Sequence, residues 1–260
     1  MLAAIEVLPE IARYPLACLE TWGGNHLVST AVDLPGMEGW VHSVPLDADE
    51  AGGDLHYLSV CNEGVMSRIV LADVSGHGVS VGANSSTLHR QLRQYINYWD
   101  QTELMQAINR AFGQAMPGSR YATAMVLGYY MEPRQLVFTN AGHLAPLWFH
   151  AAEGRWQELM ESGEDKCRSG LPVGMIPGTT YRQSVMQCCA GDVLVLYTDG
   201  ITEAENEKGE AIGSERLLEW AREAWSTEPE ELGRFLLSRV AEFRAGPPED
   251  DETMLVLRCT

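Results

Sequence analysis

The sequence predicts an α+β fold in which antiparallel sheets carry helices on their outer faces. Three observations point there. Short strand-like apolar runs come in groups, two pairs of amphipathic helical segments separate those groups, and the strict β-α-β alternation of a parallel doubly wound sheet is missing. No Pro/Ser-rich linker, repeat or low-complexity tract divides the 260 residues. The expected organisation is therefore one domain over residues 40–260, with residues 1–39 as an N-terminal segment packed on it.

The elements follow in chain order. Residues 40–44, 57–60 and 68–72 are short runs rich in aliphatic and aromatic side chains, as strands require. Val81, Leu88, Leu92, Tyr95 or Ile96 and Trp99 then recur at three- and four-residue spacing, and Leu104, Ile108 and Phe112 do the same after Asp100. That period predicts two amphipathic helices. Residues 122–130, 136–139, 146–149, 183–187 and 193–197 return to strand character, and the polar stretch 161–169 among them reads as a surface loop. Helical spacing reappears at Leu217, Leu218 and Ala221 and again at Leu232, Leu236, Val240 and Phe243. Residues 254–257 supply a last strand.

Composition limits what such a domain does. No run of about eighteen apolar residues occurs, and the start MLAAIEVLPEIARYP lacks the basic residues and small-residue cleavage site of a signal peptide. A cytoplasmic protein without membrane contact is expected. The six cysteines, Cys18, Cys61, Cys167, Cys188, Cys189 and Cys259, form no C-x-x-C pair, so they read as buried free thiols, with the neighbours Cys188 and Cys189 facing opposite ways. A net charge of -18 repels a phosphate backbone, which argues against nucleic acid as a partner.

Four aspartates share one local context. Asp54 in AGGDLHYLSV, Asp73 in IVLADVSGHG, Asp199 in VLVLYTDG and Asp250 in PPEDDETMLVL each flank an apolar run and stand beside turn-forming residues. One Asp-Gly after a strand is ordinarily only a turn. Four at strand ends of an acidic chain suggest convergence, and converging carboxylates repel unless a proton or cation intervenes. With oxygen donors and no His or Cys at ligand spacing, magnesium or manganese suits the set better than zinc.

The set Gly52-Gly53-Asp54, Asp73-Val74-Ser75-Gly76-His77-Gly78, Thr139-Asn140-Ala141-Gly142-His143, Gly170-Leu171-Pro172-Val173-Gly174, Tyr197-Thr198-Asp199-Gly200-Ile201-Thr202-Glu203-Ala204 and Asp250-Asp251-Glu252-Thr253 resembles the SpoIIE-like branch of the PPM-type bacterial protein phosphatases. The resemblance runs from about Trp40 to the C-terminus. It implies a four-layer α-β-β-α sandwich, two antiparallel sheets flanked by helix pairs. It also implies metal-dependent hydrolysis of phosphoserine or phosphothreonine on a protein, with two Mn2+ or Mg2+ as cofactors and a STAS-type anti-anti-sigma factor as the kind of phosphorylated partner.

Roles come with the resemblance. Asp73 would bridge both metals and the hydroxide between them, Asp54 and the backbone carbonyl of Val74 would complete one metal, and Asp199 with Asp250 the other. Asp251 and Gly200 would support these ligands from behind. His77 is a candidate for proton transfer, His143 is expected to be bonded within the sheet, and Glu203 to serve the turn after Asp199. Two rivals are a GGDEF-type nucleotide cyclase, disfavoured because Leu55-His56 follows Gly52-Gly53-Asp54, and a degenerate phosphatase fold acting as a binding module, which would have lost an aspartate of the set.

Overall fold

The computed structural model describes residues 14–16, 20–46, 51–61, 65–76, 79–116, 120–160 and 170–260. Its strands are β1 (Tyr14–Pro15), β2 (Thr21–Gly24), β3 (Val28–Leu34), β4 (Met37–Val44), β5 (Leu55–Val60), β6 (Met66–Val74), β7 (Ala122–Tyr130), β8 (Gln135–Ala141), β9 (Leu147–His150), β10 (Arg155–Glu158), β11 (Ser184–Gln187), β12 (Val193–Tyr197) and β13 (Glu252–Cys259). The helices are α1 (Val79–Tyr95), α2 (Gln101–Ala115), the short α3 (Asp199–Thr202), α4 (Gly213–Glu223) and α5 (Pro229–Phe243).

Two sheets result, one of seven strands in the order β1-β3-β4-β13-β12-β9-β10 and one of six in the order β11-β8-β7-β6-β5-β2. All pairings are antiparallel except β1 with β3. Strand alternation sorts the side chains into layers. On β6, Ile69 and Leu71 point into the core between the sheets, where they meet Leu127, Phe138, Leu194 and Leu255, whereas Val70, Ala72 and Val74 turn outward to Leu88, Leu92, Ile108 and Phe112 of α1 and α2. On the other side, Trp40, Val195 and Val256 pack against Leu217, Trp220, Leu232 and Leu236 of α4 and α5. Each fully buried aliphatic side chain contributes about 1.5–3 kcal/mol. The four-layer α-β-β-α arrangement follows from these three cores.

Helix spacing dictates close packing at one point. Gly233 of α5 lies flat on Trp40, where a Cβ would come 2.4 Å from the indole ring. At the other helix pair, Asp100 caps α2 by accepting from the Glu103 N–H at 2.9 Å.

The structure differs from the sequence expectation in places. β1, β2, β3, β10 and the short α3 lie outside the predicted elements: β2 holds two glycines, and β3 reads VSTAVDL with polar residues among its apolar ones. The spacing predicts a first helix running to Trp99, yet α1 ends at Tyr95 and Trp99 lies beyond it, 62% exposed and edge-on to Tyr130. Among the described residues, no helix is long and apolar enough to cross a membrane.

Candidate metal centre

Both sheets deliver acidic side chains to a common edge. Asp54 immediately precedes β5, Asp73 sits near the end of β6, Asp199 opens α3 after β12, and Asp250 leads into β13. Sheet pairing fixes these positions, because Asp73 stands opposite Thr123 on β7, and Tyr197 at the end of β12 stands opposite Met254 on β13.

The Gly52-Gly53-Asp54 turn is held by its neighbours. Asn25, after β2, accepts from the Gly52 N–H (2.8 Å) and donates through Nδ2 to the carbonyls of Gly52 (3.0 Å) and Gly82 (3.2 Å). Asp251 grips the same turn with its carboxylate, accepting from the backbone N–H groups of Leu46 (2.6 Å), Gly53 (2.5 Å) and Asp54 (3.3 Å). A Cβ at Gly52 would come 2.7 Å from Asp251 Oδ2, so the absent side chain makes this clamp possible. Gly200 serves the same packing: a Cβ there would lie 2.1 Å from the Asp251 carbonyl oxygen. Gly53 faces the main chain of Val74, whose N–H donates to the Gly53 carbonyl at 3.4 Å.

Hydroxyls cross from one sheet to the other. Asp54, 3% exposed, accepts at Oδ2 from the Thr198 hydroxyl at 2.6 Å. The Thr198 hydroxyl in turn accepts from the Thr253 N–H at 3.0 Å, and the Thr253 and Ser43 hydroxyls lie 2.9 Å apart. Sequence reasoning gives no role to Thr198, Thr253, Ser43 and Asn25: Thr and Ser beside strands read simply as β-formers, and Asn25 stands in none of the motifs.

Charge accumulates at this edge. Burial, with Asp73 next, pushes the Asp54 carboxyl well above the usual carboxylate range, against the pull of the Thr198 and Thr253 hydroxyls. Burial raises Asp73 to about 7, helped by repulsion from Asp199, Asp250, Asp251 and Glu203. Asp250 is raised by burial and by Asp199 and Asp251. Glu203 is raised by burial and by Asp199 and Asp250, so it faces the cluster as well as following α3. No Lys or Arg is among the groups that set these shifts.

The carboxylates feel one another, yet among the described residues no three His, Cys, Asp or Glu side chains stand in a ready-made metal cage. The donor set still fits hard cations. It is all oxygen, it is held on rigid strand ends, and it carries negative charge that only protons or cations offset. Asp250 is exposed, and its Oδ1 accepts from the Asp251 N–H at 2.8 Å.

The two histidines diverge. His77 lies outside the described residues. His143 is buried, with Nδ1 2.8 Å from the hydroxyl of Thr123, and burial lowers it to about 4. Its backbone N–H donates to Asn140 Oδ1 (2.8 Å) while Asn140 Nδ2 donates to its carbonyl (2.9 Å), closing the turn after β8.

Comparison with known proteins gives this geometry its context. Residues 65–260 match the family model described as stage II sporulation protein E (SpoIIE). The phosphoserine phosphatase RsbU of Bacillus subtilis (strain 168) is 22% identical over 221 residues, which are 84% of this chain and 62% of RsbU. Among solved structures, the RsbU and RsbW domains of Rv1364c from Mycobacterium tuberculosis superpose with a TM-score of 0.75 at 26% identity, covering 90% of this chain and 63% of that one. The SiaA-PP2C domain of Pseudomonas aeruginosa gives 0.71 at 22% identity, covering 85% of each chain. The chain thus spans under two thirds of RsbU and of the Rv1364c chain.

Proposed function

The chain belongs to the SpoIIE family, and on that premise we propose that it is a metal-dependent protein-serine/threonine phosphatase of the PPM type. The observation that carries the reading is the meeting of Asp54, Asp73, Asp199 and Asp250 from two sheets, with the carboxyls of Asp54, Asp73 and Asp250 raised and no cationic side chain among the causes. RsbU, named a phosphoserine phosphatase, supports the same substrate chemistry.

Two divalent cations, Mn2+ or Mg2+, would be held by Asp73 between them, with Asp54 and the Val74 carbonyl on one and Asp199 with Asp250 on the other. Such cations supply Lewis acidity, lowering the pKa of water and offsetting charge on phosphoryl oxygens. The chain's own residues do the rest. The ladder between β6 and β7 fixes the main chain that carries Asp73. Thr198 donates to Asp54 Oδ2 and so restrains the rotation of that carboxylate. Asp251 fixes the backbone of the Gly52-Gly53-Asp54 turn, which sets where Asp54 begins. The departing serine or threonine oxygen needs a proton, and His77 is the candidate donor.

The substrate in this reading is a phosphorylated protein, a STAS-type anti-anti-sigma factor in partner-switching signalling, met in the cytoplasm. Hydrolysis of a chromogenic phosphate ester tests the chemistry. Turnover is expected with manganese or magnesium and should vanish with chelator. Hydrolysis that persists undiminished in chelator, or a folded protein that takes up manganese and turns over neither the ester nor any phosphoprotein, refutes the proposal.

A further inference from the structure

A second group of reactive side chains lies away from the carboxylates. Cys188 follows β11, an edge strand of the six-stranded sheet, and Cys259 ends β13, a central strand of the seven-stranded one. Both are 3% exposed and belong to the core between the sheets, beside Tyr129. Backbone bonds register them. The Cys188 N–H donates to the Arg134 carbonyl (2.9 Å), the Cys259 N–H to the Asp192 carbonyl (2.9 Å), and the Gly191 N–H to the Cys259 carbonyl (2.8 Å). The turn that begins at Cys188 is thus fastened to the residue bearing the second thiol. The Cys188 and Cys259 side chains are in hydrogen-bond contact, while Cys189 is exposed.

We propose that Cys188 and Cys259 are a dithiol that hydrogen peroxide converts to an intrachain disulfide joining the two sheets. One sulfur attacks the peroxide, takes one oxygen as a sulfenic acid and releases water. The second sulfur attacks the sulfenic sulfur, the S–S bond forms and a second water leaves. Two thiols and one peroxide become one disulfide and two waters, with sulfur oxidised and peroxide oxygen reduced. The hydrogen bond with Cys188, then burial, hold Cys259 protonated far above the usual thiol range, which slows the reaction, and the burial of both sulfurs favours an oxidant as small as peroxide. The crosslink closes a loop of about 70 residues, a length at which a disulfide restricts the unfolded chain strongly.

The test uses the full chain with Cys189→Ser, which removes the exposed thiol and its intermolecular exchange. After peroxide treatment and alkylation of the remaining thiols under denaturing conditions, mass spectrometry should find one peptide pair linked through Cys188 and Cys259. The melting temperature should rise by several degrees, and dithiothreitol should reverse both changes. Adding Cys259→Ser should abolish the linked pair and the shift while leaving the circular dichroism spectrum intact. Recovery of both cysteines alkylated or as sulfinic acids, or linkage of either one to a different cysteine, overturns the proposal from the Cys189→Ser chain alone.

Discussion

Replacing Asp73 by Asn should make the metal-free protein more stable while removing its response to metal. In the folded chain Asp73 is held at about 7 against an ordinary value of 3.8, so between those two pH values the native state binds more protons than the unfolded one. Stability therefore falls as pH rises through that window and is flat above it. A carboxyl held at about 7 costs at most about 4 kcal/mol by pH 8, at ~1.4 kcal/mol for each tenfold change in its proton affinity. Asp73 is partly exposed and its neighbours relax, which reduces the effect to on the order of 1–2 kcal/mol. For a chain of this size that is a rise of roughly 3–6 °C in melting temperature. Asn keeps the shape and loses the charge, so the variant should gain this at pH 8 in chelator and nothing at pH 4. Adding manganese should raise the melting temperature of the parent, because a ligand of the native state stabilises it, and should scarcely move the variant. Scanning calorimetry at the two pH values, with and without manganese, measures all of this. A variant less stable than the parent at pH 8 in chelator, with a manganese shift of parental size, would show that Asp73 neither bears the repulsion nor holds metal.

Other outcomes follow from the bonds around the cluster. Thr198→Val should deprive buried Asp54 of one hydroxyl partner, cost about 1–3 kcal/mol and weaken metal binding in titration calorimetry, with Thr198→Ser restoring both. If Thr198→Val binds manganese as the parent does, the hydroxyl has no positioning role. Asp251→Ala should orphan the amides of Leu46, Gly53 and Asp54 and lower stability by about 1–3 kcal/mol in urea melts. Asp250→Ala, by contrast, should melt at or slightly above the parent in chelator and lose phosphatase turnover. Equal stability losses in the two would mean that the adjacent aspartates share one role.

Much of the fold was legible because apolar runs and helical spacing report burial directly. The strands that apolar runs predict at 122–130 and 193–197 are β7 and β12 residue for residue, since both runs are dominated by apolar side chains. β2 was invisible because its Thr-Trp-Gly-Gly has almost no apolar pattern, and its place comes from pairing with β5. Trp99 was misassigned to a helix because spacing alone does not register that Asp100 caps the next one. At the candidate site, the aspartates stood out through glycine and strand context. Which side each of the adjacent pair Asp250 and Asp251 serves was another matter: the amides that Asp251 binds belong to residues some two hundred positions away, and only the sheet brings them together. Glu203 was read as a turn residue, and its electrostatic exposure to Asp199 and Asp250 depends on how α3 leaves β12.

The place of β13 governs how this chain is made. It lies between β4 and β12 in the seven-stranded sheet, pairing with β4 along its whole length and with β12 over residues 254–258, although it comes about 200 residues after β4 in the sequence. The six-stranded sheet draws on residues 21–187 and has its partners once those are out of the ribosome. The seven-stranded sheet does not. Until residues 252–259 emerge, β4 and β12 each present a row of unpaired backbone groups to an open gap, beside the apolar faces of Val41 and Leu194. Such edges recruit strands from other chains. A nascent or truncated chain ending before Glu252 is thus the form most exposed to aggregation, and a holding chaperone would matter most during the synthesis of α4 and α5.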